Sequence, residues 1–240
     1  MDLKDKAVLL TGGSAGIGRE LAHLLKEKGA RVTLTGRNKD RLAEMQDEGF
    51  EVIEADLSNA KGVDALIADI GEREFDVLIN NAGQLVDHDF RKELPDPNAA
   101  DDCIYANLSA PIRLTTALVP MLGRQPEASI VNVTSGLAIA PAARQPVYCA
   151  TKSGLRAYSL TLREQLKDTN IHVIEALPPV VDTQMNADNP MSKMPAAECA
   201  AQILDAIETN RAEANIGMTK LLKLAESISP ALARSITLRF

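Results

Sequence analysis

Short apolar runs alternate with longer amphipathic stretches along most of the chain. KAVLLT, ARVTLT, FEVIEA, FDVLIN, ASIVNVTS and IHVIEAL each read as a strand buried on both faces. Between them, RELAHLLKEK, KDRLAEMQDE, NAKGVDALIADI, residues 98–122 and PVYCATKSGLRAYSLTLREQL carry apolar residues at helical spacing. Strict alternation of this kind predicts an α/β fold, a doubly wound parallel sheet with helices on both faces. No repeat or linker divides it, so one domain over residues 1–240 is expected.

After the sixth run the pattern loosens. Residues 184–212 read as a substrate-loop region: PPVVDTQMNADNPMSKMPAAE leads into it as a loop with short helical turns, and CAAQILDAIETN follows as a helix. Residues 213–240 read as a C-terminal extension, with AEANIGMT as an edge strand. LLKLAESISPALARSITLRF is amphipathic around Pro230 and is expected to pack on the body or on a second subunit, in preference to a membrane.

Composition narrows the function. A net charge of -7 with no basic block argues against general nucleic-acid binding and against an anionic membrane as the main partner. No window approaches the roughly 18 apolar residues of a membrane span. Cys103, Cys149 and Cys199 form no CxxC pair, and the chain starts with no signal-like segment, so a reduced cytoplasmic protein is expected. His23, His88 and His172 form no ligand spacing; surface positions are expected for all three, and no metal site.

The sharpest local signal is TGGSAGIG, where the first strand turns into a helix. Gly12, Gly16 and Gly18 permit a tight turn and remove the Cβ atoms that would keep a phosphate from backbone N–H groups at the helix start. The spacing is TGxxxGxG, not the GxGxxG of ordinary dinucleotide sites. Further on, Tyr148 and Lys152 lie four apart on a predicted helix and so share one face. A nearby ammonium favours a phenolate, so Lys152 is expected to lower the Tyr148 pKa from its usual value near 10. Such a Tyr can exchange a proton with a substrate oxygen near neutral pH, and Ser135, at the carboxyl end of a predicted strand, can hydrogen-bond the same oxygen.

With TGGSAGIG, NNAG at residues 80–83 and YCATK at 148–152, the chain resembles the short-chain dehydrogenase/reductase family from about Lys6 to Ala212. It is similar to the subgroup of β-ketoacyl carrier-protein reductases, and to DltE-like bacterial oxidoreductases in its C-terminal end. The resemblance implies a Rossmann fold and a catalytic set of Asn107, Ser135, Tyr148 and Lys152. Asn107 would interrupt its helix and hold a water connecting Lys152 to solvent, while Lys152 would also hold the nicotinamide ribose. Cofactor contacts are implied for Gly12, Ser14, Ala15, Gly16, Ile17 and Gly18, and for Asp56 and Leu57 near the adenine. Others are implied for Asn81, Ala82, Gly83, Tyr148, Pro178, Val181 and Thr183. Pro179 departs from the family's Pro-Gly after the sixth strand, so that turn is expected to take a different shape.

The end of the second strand reads TLTGRN. Gly36 stands where an acid would bind the adenosine 2′-hydroxyl, and Arg37 follows, with Asn38 adding a hydrogen bond. NADP(H) is therefore expected over NAD(H). Leu85, Val86, Leu137, Ile139, Val180, Met185, Met191 and Met194 are candidates for an apolar substrate pocket, which suits a small or medium carbonyl or alcohol compound.

The small residues Ala150, Ser153, Gly154 and Ala157 would let helices approach closely in a homodimer or homotetramer. A non-catalytic NADP(H)-binding regulator is the alternative; such proteins lose Tyr or Lys, and both are present here. Extended epimerase relatives carry TGxxGxxG and a longer C-terminal domain, neither of which this chain has.

Overall fold

Each apolar run forms a strand whose residues alternate between two packed helical layers. In the first strand, Val8 and Leu10 belong to one core cluster, and Ala7 and Leu9 to the other. The computed structural model describes residues 1–92, 94 and 96–238; Arg239 and Phe240, the end of the predicted tail, lie outside them.

The chain runs β1 (Ala7–Leu10), α1 (Gly16–Glu27), β2 (Arg31–Gly36), α2 (Lys39–Asp47), β3 (Glu51–Glu54), α3 (Ala60–Ile70) and β4 (Val77–Asn80). It continues with α4 (Pro97–Ile104), α5 (Ala110–Leu122), β5 (Ala128–Val133), α6 (Pro146–Leu166) and β6 (Ile171–Leu177). α7 (Ala196–Glu208), β7 (Glu213–Asn215), α8 (Thr219–Ile228) and α9 (Pro230–Thr237) follow. The seven strands lie in the order β3-β2-β1-β4-β5-β6-β7, and every neighbouring pair is parallel. This is the doubly wound Rossmann arrangement. Strand order reverses between β1 and β4, which opens a crevice at their carboxyl ends.

A π-helical turn, Tyr105–Ser109, joins α4 to α5 and carries Asn107 at its centre. The expected interruption of the helix is thus a local widening of its hydrogen-bond ladder. Two buried polar links dock α6 on the sheet. In one, Asn80 donates to Asn132 Oδ1 at 2.8 Å and Asn132 donates to Ser159 Oγ at 2.9 Å. In the other, Arg156 pairs with Glu175 of β6, whose side chain is fully buried and also accepts from Thr134 Oγ1 at 2.8 Å. Arg156 lies one turn beyond Lys152, so this second link fixes the helix close to the crevice.

The C-terminal extension packs on the body only in part. A Cβ at Gly136 would meet Thr219 Oγ1 of α8 at 2.9 Å, whereas Leu221, Leu224 and Ile228 point outward and are more than half exposed. Among the described residues no helix is long and apolar enough to cross a membrane.

Breaking the buried ion pair should cost far more than removing it whole. Glu175→Ala leaves a mostly buried guanidinium short of its main acceptor and is expected to lower unfolding stability by about 3 kcal/mol or more in urea titrations. The double variant Glu175→Leu with Arg156→Met should recover most of that loss.

Candidate active site

The crevice is an open cleft of about 390 Å³ running from the α2 end of the sheet to the start of α6. Its first wall is the glycine turn. Gly12 has φ +66°, a conformation L side chains rarely adopt, and a Cβ there would lie 2.9 Å from the Ala82 backbone. At Gly18 a Cβ would come within 2.1 Å of the Gly12 carbonyl oxygen, so α1 can start this close to β1 only with glycine there. Asn81 locks the turn from the opposite strand, its Nδ2 donating to Thr11 O at 3.0 Å and Gly12 O at 3.1 Å.

The N-cap of α1, Ala15, supplies no side-chain hydrogen bond, so the first helical N–H groups face the cleft without a side-chain acceptor. That is the chemistry of an anion site at a helix N-terminus, and a cofactor pyrophosphate fits it.

The second wall comes from β5, α6 and the segment after β6. Ser135, Tyr148 and Lys152 all line the cleft, with Pro178, Val181 and Thr183 on the same side. Ser135 Oγ accepts from Leu137 N at 3.1 Å, and its hydroxyl lies beside the Tyr148 phenol. Lys152 is only 4% exposed, and its Nζ donates to Val133 O at 2.9 Å. The ammonium sits 5.7 Å from the centroid of the Tyr148 ring. Ser14, Ala15, Gly16, Ile17, Arg37, Asn38, Leu57, Ala82 and Gly83 also line the cleft.

The family model for short chain dehydrogenases matches residues 6–193. The chain belongs to the short-chain dehydrogenase family. DltE of Bacillus subtilis (strain 168), an uncharacterised oxidoreductase, is 44% identical over 198 residues, covering 78% of this chain and 75% of DltE. A short chain dehydrogenase from Burkholderia cenocepacia J2315, solved in complex with NADP, matches with TM-score 0.86 at 26% identity over 99% of each chain. A short chain dehydrogenase/reductase from Burkholderia phymatum, in complex with NAD, shares the fold with TM-score 0.85 at 20% identity, over 98% of this chain and 97% of its own. The protein is an oxidoreductase of the short-chain dehydrogenase type with a nicotinamide-cofactor fold.

Within this short-chain dehydrogenase, several residues make contacts that their sequence does not show. Asp56 lies between Ala55 and Leu57 of the cleft wall, and its carboxylate accepts from Ser58 N and Oγ, both at 3.1 Å, with Arg37 at 3.8 Å. The Asn107 side chain is completely buried and engaged by protein. Its Oδ1 accepts from Gln84 N at 2.7 Å, and its Nδ2 donates to Gln84 O at 2.9 Å and Thr151 Oγ1 at 3.1 Å. It braces the loop after β4 against α6. Asn38 caps α2, accepting from Arg41 N at 2.9 Å.

His88 is buried, not superficial, with its ring edge-on to Phe90. Of the eight apolar candidates only Met185 lines the cleft. The turn at Pro179 is held by Gly136 N donating to Pro178 O at 2.8 Å, and then by Met194 N donating to Val180 O at 2.9 Å. The sequence reading missed Thr35, Arg41, Gln84, Gln184 and Asn186, all on the wall. Of these, Arg41 alone carries a signal that could have found it, a second guanidinium one helical turn beyond Arg37.

The expected depression of the Tyr148 pKa is also corrected. Burial pushes the phenol up to about 12, opposed by the Ser135 hydroxyl beside it. The Lys152 ammonium points instead to Val133 O, and burial lowers its pKa to about 8 from the ordinary 10.5. Desolvation disfavours both charged forms and is the largest cause of each shift.

Because the folded pKa of Lys152 lies below its unfolded value, the unfolded chain binds the proton more tightly and stability should rise between about pH 8 and 10.5. Lys152→Met should abolish that rise. It should also stabilise the cofactor-free protein at pH 7 by about 2 kcal/mol, the desolvation cost less one lost hydrogen bond. Urea unfolding across this pH range measures both.

Proposed function

We propose that this short-chain dehydrogenase is an NADP(H)-dependent oxidoreductase that interconverts a carbonyl and an alcohol on a small or medium apolar substrate. A single cofactor-binding domain carries the whole site. The observation that carries this reading is the meeting of Ser135, Tyr148 and Lys152 on the cleft that the glycine turn opens into. A bound nicotinamide supplies the hydride chemistry.

The chain's own residues supply position and the proton. Ser135 donates to the substrate oxygen and orients it. Tyr148 exchanges a proton with that oxygen, and a phenol held neutral up to about 12 suits donation to a carbonyl being reduced. Lys152 would hold the nicotinamide ribose. Asn107 acts as a brace, fixing Gln84 and, through Thr151, the turn of α6 that presents Tyr148. Thr183, on the same wall, would meet the carboxamide. The test is turnover in a screen of carbonyl and alcohol compounds with NADPH and NADP. Tyr148→Phe should lose about 10²–10⁴-fold in kcat while still binding NADPH. Near-normal turnover in that variant would remove Tyr148 from the mechanism, and no turnover with any compound would favour a regulatory binder.

NADP(H) is favoured because Gly36 places no acid at the end of β2 and Arg37 lines the cleft beside it. NADPH should bind about 1–3 kcal/mol more tightly than NADH. Fluorescence titration should show that preference shrinking in Arg37→Ala.

Association through α6 completes the reading. Ala150, Ser153, Ala157 and Leu160 form an exposed stripe at helical spacing, whereas Gly154 faces inward, with Leu108 3.1 Å from the position of a Cβ. Sedimentation at micromolar concentration should give a dimer or tetramer, and Ala157→Arg should shift it towards monomer.

A further inference from the structure

The segment after β6 crosses the cleft and is fastened on its far side. Gln184 opens the short 3₁₀ turn Gln184–Asn186, and its Oε1 accepts from Arg41 Nη2 at 2.7 Å, although the two residues are 143 positions apart. Both line the cleft, as does Met185. A second anchor lies beside it, because a Cβ at Gly16 would stand 2.9 Å from Thr183 Cγ2. The segment is therefore seated on the glycine turn and on α2, the two elements that read a cofactor's phosphates.

Arg41 is well placed to sense what occupies that end. Its backbone N–H is pinned to Asn38 Oδ1, so the side chain springs from a fixed point in the first turn of α2. Arg37 and Asn38 line the same end of the cleft. A planar guanidinium has five N–H donors in a rigid fork, enough to serve an amide oxygen and a phosphate together.

We propose that Arg41 is a positioning residue that couples the cofactor's 2′-phosphate to the substrate segment, one guanidinium clasping Gln184 and meeting the phosphate at once. This rests on the NADP(H) reading above for its phosphate half only; the clasp stands on geometry alone. The phosphorylated cofactor then orders residues 183–194 over the substrate side, and the unphosphorylated one leaves them looser.

Hydrogen exchange of the 183–194 segment in the whole protein tests both halves without a substrate. In the free protein, Arg41→Ala and Gln184→Ala should each raise exchange there by about threefold or more, with melting temperatures near wild type. At saturation NADPH should protect the segment more than NADH does, and Arg41→Ala should erase that difference. Titrations should show Arg41→Ala losing roughly tenfold in NADPH affinity with little change for NADH, while Gln184→Ala keeps the ratio. Unchanged exchange in free Arg41→Ala would overturn the clasp. Equal protection of wild type by the two cofactors would overturn the coupling. If wild type binds both cofactors equally, the NADP(H) reading fails by itself, and the free-protein comparison still decides the clasp.

Discussion

A buried ammonium governs this site. Lys152 is almost wholly removed from water, and the protein acceptor at its Nζ is the carbonyl of Val133, at the end of a central strand. Placing a cation there costs free energy, which desolvation expresses as a pKa lowered to about 8. Such a group persists only where the surrounding structure holds it. The α6 register is accordingly fixed below it by the Arg156–Glu175 pair and by the Asn132–Ser159 link. Tyr148 shares that helix one turn earlier, so whatever fixes the lysine also fixes the phenol. A small rotation of α6 would move both away from Ser135 together.

The opposite wall is complementary in charge and in rigidity. Uncapped N–H groups at the start of α1 present partial positive charge, and glycines let backbone come as close as Gly12 does to Ala82. Asn81 ties this turn to β4, and Asn80 beside it ties β4 to β5 and α6. Two adjacent asparagines thus join the glycine-turn half of the cleft to the half that carries Tyr148 and Lys152.

Much of this was legible in the sequence, because local rules dominate where elements are long and regular. The span of α6, the six apolar strands, the short edge strand β7 and the interruption at Asn107 all follow from periodicity or from family spacing. What was not legible depends on distant partners. Glu175 reads as a polar fault in an apolar strand until Arg156 is seen against it. Gln184 and Arg41 meet only because the chain folds back across the cleft. His88 looks like a surface residue in a polar loop, yet that loop folds onto residues leading into α6, with His88 N donating to Arg144 O. The direction of the Tyr148 shift was misjudged for the same reason, since spacing shows the neighbouring charge but not the loss of water.

The most direct test of the governing constraint is a pH titration of the Lys152 side chain. Selective isotope labelling of lysine Cε, with the Lys152 signal assigned by its loss in Lys152→Arg, would follow its ionisation by NMR in the cofactor-free protein. A midpoint near 8 is the expected result. A midpoint at the ordinary 10.5 would mean that the ammonium is solvated and that the site is not organised around it.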